Sequence, residues 1–175
     1  MKEVAKEFPV AKDLTFVFQC IDAIEISLLI EQEGLAFYEK AARNVLDPMV
    51  KNMFLRLAEE EKTHIQILKD KALFLQPAIS PSKSINKKLL VDFINENIKE
   101  KIFPTFELKV VNKFKNDIEA LDYGIKAEKR SIKILTRLLA DEKKLDVRAI
   151  FLHLMVDEKN HLALLEDLKQ TFSYK

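Results

Sequence analysis

Glu61-Lys62-Thr63-His64 and Glu158-Lys159-Asn160-His161 repeat one Glu-x-x-His pattern at a separation of 97 residues. The same step carries Glu31 onto Glu128, so each half of the chain holds a lone glutamate followed 30 positions later by the paired motif. On a helix, residues three apart differ by about 60° in direction and about 4.5 Å in rise, so the Glu and His of each motif project from one face towards a shared point. The repeat therefore asks for helices that bring four carboxylates and two imidazoles together, a set suited to two metal ions.

The glutamates occupy positions where a helix of a water-soluble protein normally carries core residues. Glu31 lies on the stripe of Ile24, Leu28, Leu35 and Tyr38, and Glu128 on that of Leu121, Ile125, Ile132 and Leu135. Glu61 and Glu158 follow Phe54/Leu57 and Phe151/Leu154, with Leu68 and Leu165 beyond them. Four unpaired carboxylates in a core would each cost several kcal/mol in lost hydration, more than a marginally stable domain tolerates. Two divalent cations balance them, and the mixed oxygen and nitrogen set with neutral His64 and His161 suits iron or manganese, with zinc an alternative by affinity.

The rest of the chain reads as helices. Only two glycines occur among 175 residues, which argues against a glycine-turned sheet and against a phosphate-cradling loop. A long helical pattern runs from Phe16 to Val45; Asp47-Pro48 then reads as a helix cap followed by proline at the first helical position. The second helix continues to about Leu75, where Pro77 and Pro81 stop it. A lysine-rich crossover from Gln76 to Lys115 contains a short amphipathic stretch, Ile85 to Lys99, and a break at Phe103-Pro104. A third long helix fits Asn116 to Ala140 and a fourth Leu145 to Thr171, across a polar turn. Long helices joined tightly in two pairs, with a crossover between the pairs, predict an all-α, ferritin-like four-helix bundle. Residues 1–175 are expected to form one domain with pseudo-repeat halves 16–76 and 116–171. Setting 24–70 over 121–167 without a gap leaves ten identities, and the two motif histidines fall in register with all four glutamates.

Composition narrows the function classes. With 29 basic and 28 acidic side chains interspersed, the net charge is +1, so no field steers the chain to nucleic acid or to an anionic membrane. The single cysteine, Cys20, excludes an intrachain disulfide, a Cys-x-x-Cys pair or a four-cysteine knuckle. Leu14 to Ile30 is interrupted by Asp22 and Glu25 and lacks the flanks of a signal peptide, so a soluble, cytoplasmic protein is expected.

The lone Glu31 seven positions before Tyr38, the first Glu-x-x-His, the crossover and the same set again resemble the rubrerythrin-type members of the ferritin-like di-iron carboxylate proteins, over residues 16–171. The resemblance implies two iron ions, with Glu61 and Glu158 bridging them, Glu31 and Glu128 as terminal carboxylates, and His64 and His161 each capping one ion. It implies a non-haem oxidoreductase that reduces hydrogen peroxide or dioxygen while iron(II) is oxidised. No rubredoxin-type cysteine centre accompanies the motifs, so an external electron donor is expected. Ser131 stands where rubrerythrins usually carry a further glutamate. Such proteins are commonly dimers, and a homodimer is expected here.

Other residues leave alternatives open. Glu33 has apolar neighbours and competes with Glu31 as first-helix ligand, although its repeat partner is Arg130. Glu60 and Asp157 precede the motif glutamates and resemble acids that orient a histidine through its far nitrogen, with plain solvent exposure the competing reading. Tyr38 can reach a ligand carboxylate or simply pack; its repeat partner is Leu135. His153 reads as a surface histidine, Cys20 as a small core or interface residue and the crossover lysines as a solvated connector. Iron uptake and delivery without defined turnover is the alternative function, and a structural module rigidified by metal is another.

Overall fold

Two carboxylates fix the first hairpin and tie it to the second half of the chain in the computed structural model, which describes residues 18–75, 87–99, 101–103 and 114–173. Helix α1 spans Cys20–Asn44 and α2 spans Pro48–Leu75. Asp47 accepts from the backbone N–H of Met49 at 2.7 Å, satisfying a donor that the start of α2 would otherwise leave without a partner. Asp117 accepts from the N–H groups of Leu46 and Asp47, both at 2.8 Å, and so anchors this turn to the start of a later helix.

That helix is α4, Asp117–Asp141, reached after α3, Lys87–Asn97; α5, Leu145–Ser173, follows. Asn116 caps α4 by accepting from Glu119 N–H at 2.8 Å. Arg148 donates to the carbonyls of Leu139 and Glu142, at 2.5 and 2.9 Å, which closes the carboxyl end of α4 over the turn. Lys144 reaches back to the Phe18 carbonyl at 2.8 Å, bringing the start of α1 to the α4–α5 turn. The four long helices begin within a few residues of the positions expected from periodicity. Phe16, Pro77, Pro81 and Pro104, which carried boundary expectations, lie outside the described residues.

α1 packs chiefly on α2 and α4 chiefly on α5, with α1 also lying against α5. Among the described residues there are five helices and no strand, as the all-α bundle requires. Aromatic rings fill the middle: Phe54 stacks on Tyr38 at 5.9 Å between centroids, and Phe37 meets Phe54 edge-on at 6.2 Å. Full burial of Phe54 and its repeat counterpart Phe151 contributes roughly 2–3 kcal/mol each. The crossover is more than a solvated connector, because α3 seats Leu90 and Phe93 in the core and the residues after it bury Ile98, Ile102 and Phe103. Lys87 and Lys88 of α3 face outward because only one stripe of that helix finds apolar partners. No helix among the described residues is long and apolar enough to cross a membrane.

Candidate metal centre

All four long helices contribute to one polar layer inside this apolar bundle. α1 supplies Glu31, α2 supplies Glu61 and His64, α4 supplies Glu128, and α5 supplies Glu158 and His161. The four glutamates are between 1% and 5% exposed, and His161 is 1% exposed. Among the described residues no lysine or arginine is buried, so these acids have no fixed counter-cation.

The six residues converge as two clusters. Atoms of Glu61, Glu128, Glu158 and His161 lie within 4.8 Å of one another, and so do atoms of Glu31, Glu61 and His64. Glu61 belongs to both, whereas Glu33 belongs to neither. Nδ1 of His161 stands 3.4 Å from Glu61 and 3.7 Å from both Glu128 and Glu158. Nδ1 of His64 stands 3.4 Å from Glu31. The two imidazoles lie nearly parallel, 14° apart with centroids separated by 6.0 Å.

Their outer nitrogens meet the acids that precede the motif glutamates, but crosswise. Nε2 of His161 lies 3.3 Å from Glu60 on α2, and Nε2 of His64 lies 3.9 Å from Asp157 on α5. Each acid thus stands behind the histidine of the opposite motif. Both are about a fifth to a third exposed, so the orienting and the solvent-facing readings each describe part of their position.

Burial and crowding push the acidities of the site's carboxyls apart. Burial pushes the Glu31 carboxyl up to about 7 despite the nearby His64. Burial, and then the charge of Glu158, raises Glu128 well above the usual carboxylate range. Burial opposes ionisation of Glu158 too, but donation from Glu128 and Ser131 and the nearby His161 imidazole hold it below that range. Within the metal-free pair, Glu128 is thus the carboxyl that favours its protonated form and Glu158 the one that favours its charge.

Three further side chains shape the layer. The Tyr38 hydroxyl donates to Glu128, giving the tyrosine a polar contact as well as a packing one. Ser131, one turn after Glu128, donates to Glu158 at 2.5 Å. Gly34, in register with Ser131 in the other half, makes room: a Cβ there would stand 2.9 Å from Oε1 of Glu61. Ligand spacing does not single out Gly34. Its scarcity is the available signal, since it is one of two glycines and lies mid-helix, where glycine costs about 1 kcal/mol relative to alanine.

A sequence model of the rubrerythrin family matches residues 22–169. The chain belongs to the rubrerythrin family. No curated protein and no solved structure gives a match. A rubrerythrin implies a ferritin-like bundle with a di-iron site, and the donors here fit that group. Oε2 of Glu31, Nδ1 of His64 and both ring nitrogens of His161 are buried without a hydrogen-bond partner, which in a polar core calls for a cation. The mixed carboxylate and imidazole set is the chemistry that iron and manganese accept.

Proposed function

We propose that this rubrerythrin is a non-haem di-iron oxidoreductase that oxidises iron(II) with reduction of hydrogen peroxide or dioxygen, supplied with electrons by an external donor. The observation that carries this reading is the sharing of Glu61 by two adjacent clusters, which suits two ions held side by side. Glu31, Glu61 and His64 would hold one ion, and Glu61, Glu128, Glu158 and His161 the other. Two iron ions there would supply paired one-electron steps for two-electron cleavage of an O–O bond.

The chain's own residues prepare that chemistry. Glu61 spans the clusters because Gly34 leaves space for its carboxylate. Tyr38 holds Glu128 and Ser131 holds Glu158, limiting how far the second cluster can rearrange. Burial and the charge of Glu158 favour the protonated form of Glu128, whereas carboxylates that match two divalent charges must be ionised, so loading expels protons. Leu57, Phe54 and Leu154, all buried, keep bulk water from the layer.

Stopped-flow mixing of the iron(II)-loaded protein with peroxide or dioxygen tests the proposal. Oxidation well above the rate of free iron(II) is expected, and a rate equal to that of free iron(II) would remove the catalytic reading. Iron handling without defined turnover is the second reading, favoured by the 22% exposure of the His64 side chain, which leaves one cluster near solvent. Transfer of bound iron to an acceptor chelate would support it, while retention of a fixed two-iron content would count against it. We further propose a cytoplasmic homodimer of single-domain chains; a monomeric mass in light scattering would refute the assembly.

A further inference from the structure

The repeat sets His153 over Arg56, and the two residues end matching arms that reach inward from the surface. In one arm Arg56 pairs with Glu60 at 2.8 Å, and Glu60 stands 3.3 Å from Nε2 of His161. In the other, Nδ1 of His153 lies 3.3 Å from Asp157, and the same Asp157 oxygen lies 3.9 Å from Nε2 of His64. The layouts agree but the outer groups do not. A guanidinium stays protonated and offers no lone pair to a metal, whereas a neutral imidazole is the commonest protein ligand for one.

Exposure falls along the histidine arm from 62% at His153 to about a fifth at Asp157 and His64, then to 2% at Glu31. All four line one cavity of about 30 Å³, room for a single water or small ion, which also meets Ile67 and Leu68. Lys71 is the one lysine on its lining, against the two carboxylates of Asp157 and Glu31. A cation leaving Asp157 therefore meets Glu31 without crossing the apolar core.

We propose that His153 and Asp157 form a transient loading site for divalent metal ions, which fill the Glu31/His64 cluster first, while the Arg56–Glu60 pair closes the equivalent face of the other cluster. The proposal rests on the metal-binding reading of the clusters. At the loading site the Asp157 carboxylate and the His153 imidazole would replace part of the ion's water shell, and Glu31 and His64 would take the ion over.

Cobalt(II) is the probe, because its visible absorption reports ligation without turnover. Metal-free wild type, His153→Ala and His153→Arg are mixed with cobalt(II) in a stopped-flow spectrometer, and cobalt per chain is measured at equilibrium. His153→Arg, which copies the closed arm, should slow uptake about tenfold, and His153→Ala somewhat less, with final content unchanged. Arg56→His should add a faster phase by opening the second face. Uptake rates indifferent to residue 153 overturn the route while leaving the metal site intact. A fall in final content at unchanged rate also overturns it, since His153 would then help to hold the bound ions. Failure of wild type to take up cobalt removes the metal reading and the route together.

Discussion

The two clusters share one motif spacing yet sit in different surroundings. Around Glu128 and His161, Tyr38 and Ser131 donate to the carboxylates, and the His161 side chain is 2% exposed. For the Glu31/His64 half, the repeat counterparts of Ser131 and Tyr38 are Gly34 and Leu135, neither of which carries a side-chain donor, and His64 is 22% exposed. A duplicated sequence thus yields one braced, closed half and one looser half facing a small cavity. Identical ligands do not make identical sites, because the atoms that hold a ligand in place come from other helices.

Proton release gives the largest separation between the halves. Glu31 rises from 4.5 to about 7 through burial, so the folded metal-free protein binds more protons than the unfolded chain across that window. Stability from this group is present in full below about pH 4.5 and is lost as pH rises through about 7, a change on the order of 3 kcal/mol. Thermal melts of metal-free protein should therefore fall with rising pH, and Glu31→Gln should remove the part that ends near pH 7. Glu128→Gln should remove a further part of the same sign, because burial and Glu158 raise Glu128 well above its ordinary value. Melts independent of pH in all three proteins would contradict this reading of the buried acids.

Tyr38→Phe probes the bracing. Loss of the hydroxyl should weaken cobalt(II) binding at the Glu128/His161 half by about 10- to 100-fold and leave the other half unchanged, as equilibrium titration would show. Equal weakening of both halves would mean that the tyrosine acts through bundle packing.

Gly34→Ala should split two quantities that usually move together. The metal-free protein should gain about 0.5–1 kcal/mol from helix propensity, because the crowded atom is the far end of the Glu61 side chain and can swing away. Metal affinity should fall about tenfold in both halves, since Glu61 is common to both. Chemical denaturation beside cobalt titration separates the effects. A destabilised metal-free protein would show that Glu61 has no other place to go.

The helices and the convergence of the six candidate residues were legible in the sequence because both follow from local periodicity. Asp47-Pro48 and Asn116 mark helix starts through contacts made within three residues, and Glu-x-x-His faces inward wherever its apolar stripe does. The repeat alone also favours Glu31 over Glu33, and Glu31 is the one that lies beside Glu61 and His64. Contacts between distant elements were not. Nothing local says that Tyr38 reaches Glu128, 90 positions away, or that Glu60 and Asp157 stand behind each other's histidines. Gly34 escapes for the same reason: its value is the absence of a side chain opposite Glu61. The core role of the crossover hides behind its lysines, because the few apolar residues of α3 bury only once the bundle exists to receive them.

Metal content tests the central claim most directly. Wild type and a Glu61→Ala/Glu158→Ala double mutant are loaded with iron(II) under anaerobic conditions, desalted and analysed for iron per chain. The account predicts about two irons in wild type and almost none in the double mutant. No iron in wild type, or equal iron in both proteins, would contradict it.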